Sequence, residues 1–214
     1  MRVDVWSDVV CPWCYIGKRR FERGLDLLRE QGADPGIEVV YRSFQLDPGA
    51  PVDDPVPVRE AYAAKFGGAA RAEAILDHVT RTAAEEGIEF RMDIAVRANT
   101  LLAHRALHFA RLGDSDSQGR LKQHLLAAYF TEGRNIADPA VVEDCAVTAG
   151  LDAAALREWL AGGGGSTEVA ADIAEAGRRE ITAVPSFVLD DRFTIPGAQD
   201  SATFATILGR MLAR

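Results

Sequence analysis

A chain of 214 residues, 48% hydrophobic and 26% charged, is long enough for one large domain or one domain carrying an insertion, with the composition of an ordinary globular protein. Its net charge of −8 argues against nucleic acid as the main partner, because that binding relies on Lys and Arg to neutralise phosphates. Its three cysteines are too few for a disulfide scaffold, and no apolar run reaches the roughly 20 residues needed to span a bilayer.

The N-terminus has no basic stretch followed by an apolar one, so the expectation is no signal peptide, no membrane contact and a cytoplasmic location. Residues 3–10 are β-branched and apolar, as in a buried central strand. They lead into Cys11-Pro12-Trp13-Cys14 and a helix from Pro12 to about Glu30. Unpaired backbone N–H groups and the helix dipole at such a start favour the thiolate, the reactive form of cysteine. Pro12 suits the first helical position, where an N–H is not needed. By itself a Cys-x-x-Cys also fits half of a zinc site or a structural pair; its place between strand and helix favours redox use. Cys14 shares a face with Phe21, Leu25 and Leu28, so it should point inward while Cys11 stays at the exposed tip. Asp4 and Asp8 flank the strand. A carboxylate near Cys14 could accept its proton, but solvation is the default expectation for both. Lys18, Arg19 and Arg20 read as a solvated helix face, with support of a thiolate as the alternative.

Gly32 and Pro35-Gly36 end this unit, and residues 37–44 form a second strand, implying a right-handed parallel crossover. Four prolines (Pro48, Pro51, Pro55 and Pro57) then mark a boundary. Beyond it the periodicity predicts helices over 58–66, 69–86, 97–112, 117–132, 138–149 and 152–161, with a short extended piece at 88–90. Asp138 and Asp152 are the N-caps of the last two. Cys145 lies on an apolar helix stripe and reads as core, as do Trp6 and Trp159. His104 and His108, four apart, could share a metal, but no third ligand is evident; packing or groove lining fits better, and no metal is expected. Gly162 to Gly165 lack a following Gly-Lys-Ser/Thr, so a phosphate loop gives way to a flexible joint. Ser166 should cap a helix to about Ile181. Residues 184–189 and 192–195 form a hairpin about Asp190-Asp191, and residues 200–213 a final helix. From spacing alone, Pro185 is equally a cis residue near the thiols or a trans residue starting an edge strand.

The skeleton is therefore α/β: β-α-β, a helical block, then α-β-β-α. Residues 1–50 and 166–214 should make one discontinuous domain, with 55–165 inserted as a helical domain. Cys11-Pro12-Trp13-Cys14 after a strand, with Val184-Pro185 opening a later one, resembles the thioredoxin superfamily, and the helical block resembles its DsbA-like branch. Ser7-Asp8-Val9-Val10 before the motif, Tyr41 to Leu46, Asn99-Thr100 with Ala103-His104-Arg105, Ala128-Tyr129-Phe130 with Gly133 to Ile136, and Gly197-Ala198-Gln199 look like the FrnE-type group. One departure is Ala183, where the group's pattern has glycine before Val-Pro; the added methyl should change the groove slightly.

The resemblance implies a protein disulfide oxidoreductase or isomerase, with Cys11 as nucleophile, Cys14 as resolving thiol and a cis bond at Val184-Pro185. Its only cofactor would be the redox-active Cys11–Cys14 disulfide. Pro12, Trp13, Val184, Pro185 and His104 are the candidate substrate-binding residues. For Trp13 two readings stay open, an apolar contact for substrate or a ring folded onto the insertion. Partners would be a thiol or disulfide substrate, protein or small molecule, and glutathione or a thioredoxin-type reductant. The alternative is a glutathione-dependent isomerase of the kappa-class transferase and hydroxychromene-carboxylate type, which usually carries a single Ser or Cys nucleophile. A zinc-holding binding module is a further rival, for which two cysteines and remote histidines make a poor ligand set.

Overall fold

Val3 and Val5 lie on a central strand whose residues are buried from Val3 to Ser7, as a strand covered on both faces requires. This is β1 (Arg2–Ser7) of a computed structural model that describes residues 1–33 and 36–213. Helix α1 (Pro12–Glu30) follows, then β2 (Glu38–Ser43), parallel to β1 with Val3 opposite Val39 and Ser7 opposite Ser43. The strand ends at Ser7 rather than Val10, because Asp8 turns the chain and accepts the Val9 N–H at 2.8 Å. Of the expected Pro35-Gly36 terminator, Pro35 lies outside the described residues; Gly32 has φ 84 just beyond α1.

A proline-rich loop leads to β3 (Val56–Pro57), α2 (Val58–Phe66) and α3 (Ala69–Glu85), then β4 (Val96–Arg97), which pairs with β3. Helices α4 (Leu101–Ala110), α5 (Ser117–Phe130), α6 (Pro139–Thr148) and α7 (Ala153–Ala161) complete the block. Asp138 and Asp152 cap α6 and α7 as expected. Helix α4 starts four residues late: Val96-Arg97 are used in the β3–β4 ladder, and Asn99 Oδ1 accepts the Leu101 N–H at 2.9 Å. Residues 88–90 join no ladder.

Helix α8 (Ser166–Arg178) begins after Gly165, which itself holds the N-cap position at φ 80; Ser166 is its first residue, not its cap. It stops before Glu180, whose φ is 57, short of Ile181. The four glycines are not a flexible joint. A Cβ on Gly164 would fall on the Trp159 ring, and one on Gly165 would come within 2.9 Å of Arg105 Cα. Arg105 donates to Leu160 O at 2.5 Å and Gly164 O at 2.7 Å, so this turn is packed and pinned. Strands β5 (Ser186–Leu189) and β6 (Phe193–Pro196) and helix α9 (Ser201–Leu212) end the chain. Asp190 and Asp191 take φ 44 and 63 in the hairpin turn, a conformation that Asp tolerates.

The larger sheet runs β2-β1-β5-β6, with β5 antiparallel to β1. Helices α1 and α9 cover one face through Phe21, Phe187 and Phe204, whose ring centroids lie 4.8–5.4 Å apart. Helix α8 covers the other, where Trp6 Nε1 donates to Asp172 O at 3.1 Å and packs with Ala176 and Val188. A second core fills the helical block and takes in Val9 from the turn before α1 and Tyr15 and Ile16 from its start. The helical block is thus packed directly against the motif.

Asp172 holds α8 to this frame. Its carboxylate accepts from Arg42 at 3.0 Å and from the Ser43 N–H at 2.9 Å, and lies 3.0 Å from His108 Nε2. Burial would raise the carboxyl, but His108, the Ser43 N–H and Arg42 outweigh it and hold it below the ordinary value. The contribution is therefore present above the unfolded carboxyl range near pH 4 and lost as pH falls through the depressed native value. In urea titrations at pH 6 and pH 3, Asp172→Asn should lose stability at pH 6 and flatten the acid-side decline; an unchanged decline would contradict this linkage.

Candidate active site

Cys11 is the N-cap of α1, in extended conformation at φ −90 and ψ 115, and Pro12 is the first helical residue. The Cys14 N–H donates to Cys11 O at 3.0 Å, which closes the first turn and turns the two side chains toward each other. The Cys14 sulfur is within hydrogen-bonding reach of Cys11. The Cys11 thiol donates to Val184 O at 3.7 Å, and the Val184–Pro185 bond is cis. Two ends of the chain, 173 residues apart, meet at one sulfur.

Two small residues missed by the sequence reading allow this approach. A Cβ on Gly17 would come within 2.9 Å of Pro185 Cγ and 3.2 Å of Ala198 Cβ, so the proline loop rests on a bare stretch of α1. Gly24, one heptad further on, admits Phe204 Cβ and Ser201 O of α9 in the same way. A glycine inside a helical pattern costs about 1 kcal/mol relative to alanine, and two of them on one face are the available sequence signal of close packing.

Cys11 is not an exposed tip. It is 4% accessible, and Tyr62 of α2 lies near enough that burial, then the Cys11 charge, push its phenol up to about 12. Cys14 points inward as expected. Its thiol is raised well above the ordinary value by burial, then by Cys11; Lys122 and a backbone hydrogen bond at Asp8 pull the other way. Cys145 is in the core of the helical block, where burial pushes it up to about 11.

Of the expected substrate-binding residues, Pro12 and Pro185 are buried, while Val184 and Trp13 are half-buried. The Trp13 ring centroid is 5.8 Å from that of His78 on α3, so the ring folds onto the helical block. His104 does not line a groove: it is 1% accessible, with Nε2 3.1 Å from Asp8 Oδ1 and 3.0 Å from Phe44 O. Two acceptors at Nε2 assign the proton there. The ring holds Asp8, which also accepts the Val9 and Leu46 N–H groups, each at 2.8 Å. Asp8 is thus wholly buried, and Asp4, 7% accessible, is paired to Arg42 at 2.6 Å; neither is the solvated carboxylate expected. Lys18 is also buried, held by Glu22 and Gln123, and Arg20 binds Glu86 and Ala198 O, leaving Arg19 as the exposed member of that trio. His104 and His108 each face a separate carboxylate, and among the described residues no group of three or more His, Cys, Asp or Glu side chains is arranged to hold a metal.

Lys122 is the residue that sequence reading passed over. It is 1% accessible, and its amine has no hydrogen-bond partner among the described residues. The nitrogen lies 5.7 Å from the centre of the Tyr41 ring. Burial lowers its pKa to about 8, while Cys14, Asp8 and Cys11 pull it up. The available signal is a lysine in the inward row Gln118, Lys122, Leu125, Tyr129 of α5.

Comparison with known proteins agrees with this geometry. A family profile described as a DSBA-like thioredoxin domain matches residues 2–209. The uncharacterized protein YwbO of Bacillus subtilis (strain 168) is 27% identical over 95% of this chain and 94% of its own length. The crystal structure of the probable DsbA oxidoreductase SCO1869 from Streptomyces coelicolor superposes with a TM-score of 0.89 at 37% identity, covering 100% of this chain and 91% of that one. The cytosolic disulfide reductase DsbM from Pseudomonas aeruginosa, also solved with GSH, shares the fold with a TM-score of 0.70 at 18% identity, over 100% of this chain and 99% of that one.

Proposed function

The chain belongs to the DSBA-like thioredoxin domain family, and from that premise we propose that it is a thiol–disulfide oxidoreductase of the FrnE type, working through Cys11 and Cys14. The observation that carries this reading is the pair of adjacent sulfurs at the first turn of α1, with Cys11 Sγ directed at Val184 O beside the cis proline.

In the reducing direction the Cys11 thiolate attacks a substrate disulfide, and the displaced sulfur leaves with the electron pair. Cys14 then attacks Cys11, releases the second substrate thiol and closes the Cys11–Cys14 disulfide. The oxidising direction is the reverse. An extended substrate lies along Val184, whose carbonyl exchanges the Cys11 thiol for a substrate N–H, as in strand addition. Tyr62, half-buried on α2, supplies an apolar edge to that groove. Glutathione or a thioredoxin-type reductant returns the electrons, and the compartment is the cytoplasm; the likeness to a cytosolic reductase solved with GSH supports both.

Cys14→Ser tests the reading. Treated with glutathione disulfide, the variant should hold one glutathione on the peptide that carries Cys11, and its turnover should cease. Glutathione-dependent turnover that survives Cys14→Ser would overturn the reading in favour of the single-nucleophile isomerase and transferase chemistry.

A further inference from the structure

We propose that Arg20 is a positioning residue for the exchange reaction: with Glu86 of the helical block it fixes the turn at Gly197-Ala198, and through that turn the Val184 carbonyl on which an extended disulfide substrate lies. The inference rests on the exchange reading of Cys11 and Cys14. It makes the helical block part of what selects an extended substrate over a small one.

One row of α1 carries the argument. Gly17, Arg20 and Gly24 follow at spacings of three and four, so they lie along one side of the helix. Pro185 and Ala198 pack against the bare Gly17, and Ser201 and Phe204 against Gly24. Between these contacts the backbone of α1 has no N–H to give, because each mid-helix N–H is used within the helix. The Ala198 carbonyl is met by a side chain instead: Arg20 Nη1 donates to it at 3.0 Å. Nε of the same guanidinium donates to Glu86 at 2.5 Å, at the C-terminal cap of α3. The Arg20 and Glu86 side chains are 17% and 20% exposed, so this pair is not one of the solvated surface pairs that contribute little. One guanidinium thus bonds the motif helix, the turn after β6 and the helical block.

The turn needs a hold from outside. Gly197 takes φ 74, which glycine adopts without steric cost, and is the pivot of the turn. Gln199 Nε2 donates to Pro196 O at 2.7 Å, which braces the turn within itself and does not tie it to α1. From the pivot, hydrogen bonds lead to the active sulfur. The Gly197 N–H donates to Pro185 O at 2.8 Å, and Val184, the residue before Pro185, accepts the Cys11 thiol at 3.7 Å. Release of Ala198 O frees the pivot, and the Val184 carbonyl loses its fixed direction. A misdirected acceptor lowers affinity for a substrate that pairs with it by strand addition, and leaves the sulfur chemistry of Cys11 in place.

Two disulfides separate these effects, each reduced with glutathione as the electron source. A fluorescent peptide disulfide offers backbone N–H groups to Val184 O; bis(2-hydroxyethyl) disulfide has none. Arg20→Met should raise KM for the peptide about 10-fold with kcat within about twofold, and leave kcat/KM for the small disulfide within about twofold. In Arg20→Lys the ammonium lacks the planar fork that holds Glu86 and Ala198 O together, so KM should stay raised about threefold. Glu86→Gln should raise it about threefold, and added to Arg20→Met should change nothing further, because the two side chains act as one unit. An unchanged peptide KM in Arg20→Met, equal loss on both disulfides, or multiplied losses in the double variant would overturn the proposal; equal loss is what a purely structural role gives. Should Arg20→Met fail to fold, Arg20→Lys and Glu86→Gln carry the test, and an unchanged peptide KM in both would overturn it. A wild-type chain that turns over neither disulfide would instead overturn the exchange reading beneath it.

Discussion

Cys11→Ser should lower disulfide exchange by at least about 1,000-fold, with the fold intact. A serine hydroxyl keeps the volume and the hydrogen bond to Val184 O, so α1 and the proline loop stay docked through Gly17. What is lost is the sulfur that donates its electron pair to the substrate disulfide. The effect is all-or-none because no other thiol can replace it. Cys14 is 2% accessible and lies behind Cys11, and Cys145 is enclosed in the core of the helical block. Cys145→Ser should accordingly leave turnover within about twofold. The check is reduction of a fluorescent peptide disulfide with glutathione as the electron source, run on all three proteins with circular dichroism to confirm folding. Residual turnover in Cys11→Ser, or its loss in a folded Cys145→Ser, would move the nucleophile away from the start of α1.

Phe21→Ala should destabilise the protein by about 3–5 kcal/mol. Phe21 is 1% accessible, stacked on Phe187 at 5.2 Å and edge-on to Phe204 at 5.4 Å, so its removal leaves a void where α1, β5 and α9 meet. Backbone on three sides of that void limits collapse, and the aromatic pairs are lost beyond the transfer term. Against a total stability of about 5–15 kcal/mol the variant would be close to unfolding. Leu112→Ala, at a position 67% exposed, is the control and should change stability by less than about 0.5 kcal/mol. Urea midpoints measure both. A loss below about 1 kcal/mol for Phe21→Ala would mean that α1 is not anchored through this ring cluster. The loss would reach the motif, because Cys11 caps α1 and Cys14 lies in its first turn.

Much of this architecture could be read from residue order. Helix α1 occupies the expected residues from Pro12 to Glu30, because Pro12 marks the start and the spacing of Cys14, Phe21, Leu25 and Leu28 marks the buried face. Caps at Asp138 and Asp152 are local hydrogen bonds, and local signals survive in a sequence. The errors share a cause. Residue type suggests that Asp8, Asp4, Lys18 and His104 are solvated or groove-lining, yet each is buried with a partner from a distant segment: Leu46, Arg42, Gln123 and Asp8 respectively. Sequence position suggests an exposed tip for Cys11, because nothing near it in sequence shows that Tyr62 of α2 comes to lie near it. The glycine turn at 162–165 looked loose because Trp159 and Arg105, which fill the space around it, are recruited from two other helices. Periodicity locates elements; it does not show which side chain an inserted domain lays over another.

The most direct test is to equilibrate the wild-type protein across a series of glutathione redox buffers, quench with acid, alkylate the remaining thiols and weigh the peptides. A single two-electron transition should appear, in which Cys11 and Cys14 pass together from two alkylated thiols to one intramolecular disulfide while Cys145 stays alkylated throughout. Peptides that retain both alkyl groups over the whole series, or a disulfide that recruits Cys145, would contradict the assignment of this pair as the redox centre.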